Sequence, residues 1–255
     1  MALVNGLGGA ADFGEHSLSR NDDGSTGAID LSEVFPNGLN FFGEVYTEAF
    51  INTNGSITFG GPLSTFTPTA ISSGTTPGIF VFWADVDTSG GAIDVGAADP
   101  AQGNSQGTNL VYYDLDQGSG SFTVTWDDVG YYDANIDRTN SFQLILTDAS
   151  DEEGRSIGDF EITYIYEDIQ WTTGDASGGT DGLGGTPARI GYSAGDESGT
   201  FFEFNVSGYV DALLALGNSD PRSFLSTSGG ISADVFIDLP GELNAGINED
   251  ARVVV

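Results

Sequence analysis

Cysteine is absent from the 255 residues, which excludes a disulfide framework, a thiolate nucleophile and a Cys-ligated zinc site. Lysine is absent too: the six bases are Arg20, Arg138, Arg155, Arg189, Arg222 and Arg252. A Schiff-base nucleophile and a Walker-type phosphate loop are thereby excluded, so Gly6-Leu7-Gly8-Gly9 and Gly182-Leu183-Gly184-Gly185 read as turns. The single histidine, His16, removes histidine-rich zinc catalysis. No nucleophile-elbow glycine frame surrounds any serine, so a Ser-His-Asp site has no support. Nothing approaches the ~20 consecutive apolar residues of a membrane span, and no direct membrane insertion is expected. No catalytic residue is nominated and an enzyme is not expected. A carboxylate pair for glycoside cleavage stays open only because acids are so many.

What the chain has is acid. Asp and Glu number 38, the formal net charge is −32 and the isoelectric point is about 4.1. This opposes nucleic acid and anionic lipid as partners, since phosphate contacts need clustered cations. It also strains the compact state by self-repulsion unless cations screen or bind the carboxylates. A solubility or halophilic surface and specific cation binding both fit. The start, Met1-Ala2-Leu3-Val4-Asn5, lacks the basic and apolar regions of a signal peptide. The ending, Ala251-Arg252-Val253-Val254-Val255, reads like an interrupted strand or a linker, so a fragment of a longer chain with further domains is expected.

The 38 glycines point to many tight turns. Residues 1–38 are polar and Gly/Asp-rich, after which strand signals arrive in series. Phe41 to Phe50 is aromatic-rich, Ile57-Thr58-Phe59 follows the Asn54-Gly55 turn, and Ile79 to Trp83 is a continuous apolar run suited to a strand buried on both faces. Leu110 to Tyr113, Phe122 to Trp126, Phe142 to Leu146 and Phe160 to Tyr166 continue the pattern, with Arg189–Ser193, Phe201–Val206 and Val235–Leu239 later. Helix is expected at Val210 to Leu216, with a short turn near Leu31 to Val34. Short strands separated by Gly/Asp/Ser turns predict an all-β antiparallel sandwich with long loops.

Five ordered segments carry a family resemblance. Asn52-Thr53-Asn54-Gly55-Ser56-Ile57-Thr58-Phe59, Phe82-Trp83-Ala84-Asp85-Val86-Asp87 and Thr125-Trp126-Asp127-Asp128-Val129-Gly130-Tyr131-Tyr132 come first. Asn140-Ser141-Phe142-Gln143-Leu144-Ile145-Leu146 and Ile169-Gln170-Trp171-Thr172-Thr173-Gly174 complete the set. Together they resemble the nidogen-like (NIDO) extracellular domain. The resemblance implies one domain over 1–255, with core motifs at 40–206 and flanking segments 1–39 and 207–255 packed on it. It implies a secreted or cell-surface adhesion module meeting an extracellular protein or glycan ligand. Animal members of the family are extracellular and often bear nearby cysteines. The lack of cysteine and the acidity look more like bacterial surface or type I-secreted adhesins. A carbohydrate-binding or glycan-acting sandwich, and a structural spacer or subunit of a surface assembly, are the alternatives.

Calcium suits such a chain, because it takes six to eight hard oxygens. Two clusters are candidates for a structural Ca2+. In the first, Asp85 and Asp87 share one face of a strand end, with Asp94, or Asp175 and Ser177, completing the shell. Two like charges leaving a buried run need a cation to stay ionised together. The second is Asn21, Asp22, Asp23 and Ser25, where Gly24 permits a sharp bend; the EF-hand pattern is missing. Turn capping by the same acids is the competing reading at both places. Asp114/Asp116, Asp127/Asp128 and Asp151-Glu152-Glu153 read as solvated loop charge. Trp83, Trp126 and Trp171 read as core, whereas Tyr46, Tyr131 and Tyr132 are surface candidates. Asn54 and Asn205 open glycosylation sequons.

Overall fold

The computed structural model describes residues 2–94, 103–195, 199–218, 222–227 and 230–232. Its first strands are β1 (His16–Ser17), β2 (Ile29–Asp30), β3 (Leu39–Phe41), β4 (Glu44–Tyr46), β5 (Glu48–Asn52), β6 (Ser56–Thr58) and β7 (Gly78–Trp83). Four long strands follow: β8 (Leu110–Asp116), β9 (Ser121–Tyr131), β10 (Asn135–Asp148) and β11 (Phe160–Ile169). The chain continues with β12 (Gly179–Thr180), β13 (Leu183–Gly184), β14 (Arg189–Ser193), β15 (Phe201–Glu203), helix α1 (Val210–Leu214), β16 (Arg222–Thr227) and β17 (Gly230–Ser232). Helix was expected through Leu216; instead α1 tightens into a 3-10 turn over Ala215–Asn218. The expected turn near Leu31 is present, with Val34 and Phe35 donating their N–H to the Leu31 carbonyl. The strand expected at Val235–Leu239 lies outside the described residues.

Among the described residues all pairings are antiparallel. One large sheet runs β1-β8-β9-β10-β11-β16-β17, the other large sheet runs β15-β14-β7-β6-β5-β2, and β12-β13 and β3-β4 form two-stranded sheets. The chain is thus an all-β sandwich, with a single short α-helix among the described residues. The segments that flank 40–206 take part in it: β1 pairs with β8, β2 with β5, and β16 with β11.

Alternation explains how the core fills. Phe122, Val124 and Trp126 of β9 face Leu146, Leu144 and Phe142 of β10 in register, and all six are fully buried. β7 pairs on both edges with β14 and β6, and both of its faces are covered, with Ile71 and Leu63 packing in one cluster with Phe80 and Trp83, as its unbroken apolar run requires. Phe142 stacks on Trp126 with ring centroids 5.0 Å apart and meets Phe82 of the facing sheet at 5.5 Å. The three tryptophans are buried, and each indole N–H reaches a carbonyl: Trp83 to Thr65, Trp126 to Thr53 and Trp171 to Val129.

Residues 1–38, polar and Gly/Asp-rich, still bury Leu3, Phe13, Leu18, Leu31 and Phe35, because isolated apolar residues among glycines find the sandwich. Two readings need correction. Asp127 and Asp128 are not solvated. β9 runs past Trp126 to Tyr131, and its shifted register near Asn140 turns both carboxylates onto residues 106–108. There Asp127 accepts the N–H of Gln106 and of Thr108 as well as the Thr108 hydroxyl; Asp128 accepts the Gly107 N–H and the hydroxyls of Thr139 and Ser141. Tyr131 is buried, its hydroxyl donating to Asp137, and Tyr46 is half-buried on Phe59. Asn54 is also buried, so its sequon is closed to modification in the folded chain, while Asn205 is exposed.

Candidate metal centre

The turn from β5 to β6 organises this end of the sandwich. Gly55 has φ +77°, and a Cβ there would lie 2.0 Å from the Phe82 carbonyl oxygen. Only glycine lets the turn press so close to β7, and its own carbonyl accepts the N–H groups of Val81 and Phe82. Asn54 is thereby set between two acid-bearing segments. Its Oδ1 accepts the Val86 N–H at 2.9 Å, and its Nδ2 donates to Asp23 Oδ1 at 2.8 Å.

Residues 19–25 dock against the same turn. Gly24 accepts the Thr53 N–H, and the backbone of Asn21 exchanges hydrogen bonds with the Thr88 hydroxyl. Arg20 reaches the carbonyls of Thr88, Thr108 and Asn109, so its guanidinium is committed to peptide oxygens.

The two candidate clusters, far apart in sequence, meet here. Asp22, Asp23 and Asp85 each bring a carboxylate oxygen within 4.8 Å of the other two. Asp85 is only 1% exposed. Among the described residues, neither Asp85 Oδ2 nor Asp22 Oδ1 has a hydrogen-bond donor, although both atoms are buried. Burial first, then the charges of Asp22, Asp23, Asp87 and Asp175, push the Asp85 carboxyl up to about 7. Burial, followed by Asp23, Asp87 and Asp133, pushes Asp22 up to about 6. The arrangement concentrates negative charge that the fold does not neutralise.

The remaining expected ligands are placed differently. Asp87 turns away from Asp85: its Oδ1 accepts from the backbone and hydroxyl of Ser89, and its Oδ2 accepts the Ala134 N–H at 2.7 Å. The chain leaves strand geometry at Trp83, so two-residue spacing no longer puts both carboxylates on one face. Asp175, exposed, acts on Asp85 through its charge, and its N–H is held by the Tyr132 carbonyl. Ser177 bonds to Thr67, Ser25 donates to Asn52, and Asn21 Oδ1 accepts from Gly24 and Thr53. Asp94 does not join the group of three. Sequence reasoning did not single out Asn54, Gly174 or Asp133 as parts of this site, although Asn54 and Gly174 stood within the family motifs.

Three carboxylates with these separations suit calcium, whose oxygen ligands at about 2.3–2.6 Å span at most about 5 Å across the ion. Asp22, Asp23 and Asp85 would hold it; the ion would supply the positive charge that this pit lacks.

Comparison with known proteins gives the same family as the sequence motifs. Residues 47–224 match the family described as "Nidogen-like domain". The chain is 34% identical to alpha-tectorin of Mus musculus over 71% of its own length, and 33% identical to alpha-tectorin of Gallus gallus over a similar stretch. It is 29% identical to nidogen of Drosophila melanogaster over 75% of its length. It spans only 8% of the alpha-tectorins and 15% of that nidogen. No solved structure matches. With the family matched across most of the sandwich, the chain belongs to the nidogen-like domain family.

Proposed function

We propose that this domain is an extracellular, calcium-stabilised adhesion module of a bacterial surface or secreted protein, contacting a protein or glycan on a matrix or cell surface. The observation that carries the reading is the family match over residues 47–224, with relatives named alpha-tectorin and nidogen. The absence of cysteine and lysine and the net charge of −32 support the bacterial setting, and the uncompensated carboxylates support calcium. Among the described residues no helix is long and apolar enough to cross a membrane.

A glycan-acting reading draws less support. Trp83, Trp126, Trp171 and Tyr131 are buried in the sandwich, so none of these four offers a face for sugar stacking; the exposed aromatics are Phe201 and Tyr209 among the described residues. The test is binding of the purified chain to immobilised matrix proteins, cell surfaces and a glycan array, each in calcium and in chelator. Saturable, calcium-dependent retention on at least one surface is the expected result. Absence of retention on every surface in calcium refutes the adhesion reading.

A further inference from the structure

We infer that one divalent cation, held by Asp22, Asp23 and Asp85 together, latches residues 19–25 onto the turn at residues 84–88. The inference rests on the calcium reading above and deepens it: it names a single composite site where the sequence suggested two.

The contrast with the other buried acids carries the argument. Glu167 receives the N–H groups of Leu3, Asn104 and Ser105. Asp87, Asp127 and Asp128 receive two or more donors each. The fold therefore satisfies buried carboxylates by hydrogen bonding, as physical chemistry demands. Asp85 Oδ2 and Asp22 Oδ1 are the buried side-chain oxygens left without a donor among the described residues. Both belong to the cluster that can close around one ion. Arg20 is two residues from Asp22, yet its guanidinium goes to three carbonyls instead. No lysine ammonium is available, since the chain has no lysine.

Gly174 is an independent sign that space is kept at this spot. Its backbone, φ −74° and ψ 161°, is open to any residue, so conformation does not demand glycine. A Cβ there would stand 2.5 Å from Asp85 Cβ and 2.6 Å from Asp85 Oδ2. Glycine leaves room beside the orphan oxygen.

The latch follows from where the ligands originate. Asp22 and Asp23 belong to the N-terminal strap, whereas Asp85 belongs to the segment leaving β7. Without the ion, like charges push strap and sandwich apart; with it, the same three groups pull them together. The strap's remaining ties run through Arg20, Asn21, Gly24, the Asn54–Asp23 bond and the pairing of Ser25 with Asn52.

The test is calcium titration calorimetry on the chelator-stripped 255-residue chain, paired with amide hydrogen exchange of residues 19–25 with and without calcium. The expected result is one ion per chain, with affinity reduced at least tenfold by Asp85→Asn, by Asp22→Asn and by Gly174→Ala. Gly174→Ala retains every acid, and unchanged circular dichroism shows that each variant is folded. Exchange in 19–25 should slow at least tenfold in calcium. Full binding by folded variants overturns the site while leaving a calcium-stabilised domain intact. Normal binding with unchanged exchange in 19–25 overturns the latch. Only weak heats, insensitive to all three variants, overturn the site and the calcium reading together, without touching adhesion.

Discussion

Replacing Asp85 by asparagine should reverse its effect on stability according to whether calcium is present. The carboxyl is 1% exposed and pushed from its ordinary 3.8 to about 7. At pH 8, keeping it charged then costs the native state on the order of 4 kcal/mol. Water reaching the half-exposed Asp22 and Asp23 screens part of this, so a working figure is ~2–3 kcal/mol. Asparagine keeps the shape, removes the charge and offers an N–H to the orphan oxygen of Asp22. In chelator at pH 8 the variant should therefore melt higher than the parent by roughly 5–10 °C, taking about 2–4 °C per kcal/mol for a domain of this size. In calcium at a hundredfold excess over the dissociation constant, the parent gains about 2.7 kcal/mol by mass action, and the variant gains little. The order of the two melting temperatures should then converge or invert. The sign is fixed by the raised value: the penalty is complete above about 7 and fades as pH falls toward 3.8, so the gap in chelator narrows at pH 5. Scanning calorimetry in the two buffers decides. A variant destabilised equally in chelator and in calcium would show that Asp85 serves packing alone, and the reasoning would fail.

Other perturbations address the scaffold. Asp127→Asn trades an acceptor for a donor facing N–H groups of residues 106–108 and should lower stability by ~1–3 kcal/mol in urea titrations. Burial pushes Asp127 up to about 6 against its hydrogen bonds from Thr108 and Gln106. Its contribution to parent stability therefore falls as pH rises from about 4 to 6, and comparing urea midpoints across that window should show this slope lost in the variant. Gly55→Ala drives a methyl onto the Phe82 carbonyl at a left-handed φ; a loss of at least ~2 kcal/mol by thermal unfolding is expected. Phe142→Ala empties the space between Trp126 and Phe82 and should cost ~3–5 kcal/mol, with tryptophan fluorescence reporting the loosened core.

Strand placement was largely legible because alternation and burial are local. Phe122-Val124-Trp126 announced a one-faced strand and Ile79–Trp83 a two-faced one, and both pair as that pattern requires. Turn chemistry was legible at Asn54-Gly55 for the same reason. Asp127 and Asp128 misled, since a pair of adjacent acids after a strand usually faces water. Here the strand continues, and backbone N–H groups from residues 106–108, supplied by a distant loop, make their burial possible. Nothing local to residues 127–128 encodes those donors.

The sequence by itself determined the class of chemistry: oxygen ligands without thiolate or amine, a family of sandwich domains, and acid clusters at 21–25 and 85–87. Tertiary structure alone decided which acids share a site. Asp85 and Asp87, neighbours in sequence, part ways because the chain bends after Trp83 and Asp87 finds Ser89 and Ala134. Asp22 and Asp85 meet because Asn54, Thr88 and Arg20 dock the N-terminal strap against β7. Hydrogen-bond donors are allotted through space, and the two buried oxygens that the allotment leaves bare mark the site proposed for a cation.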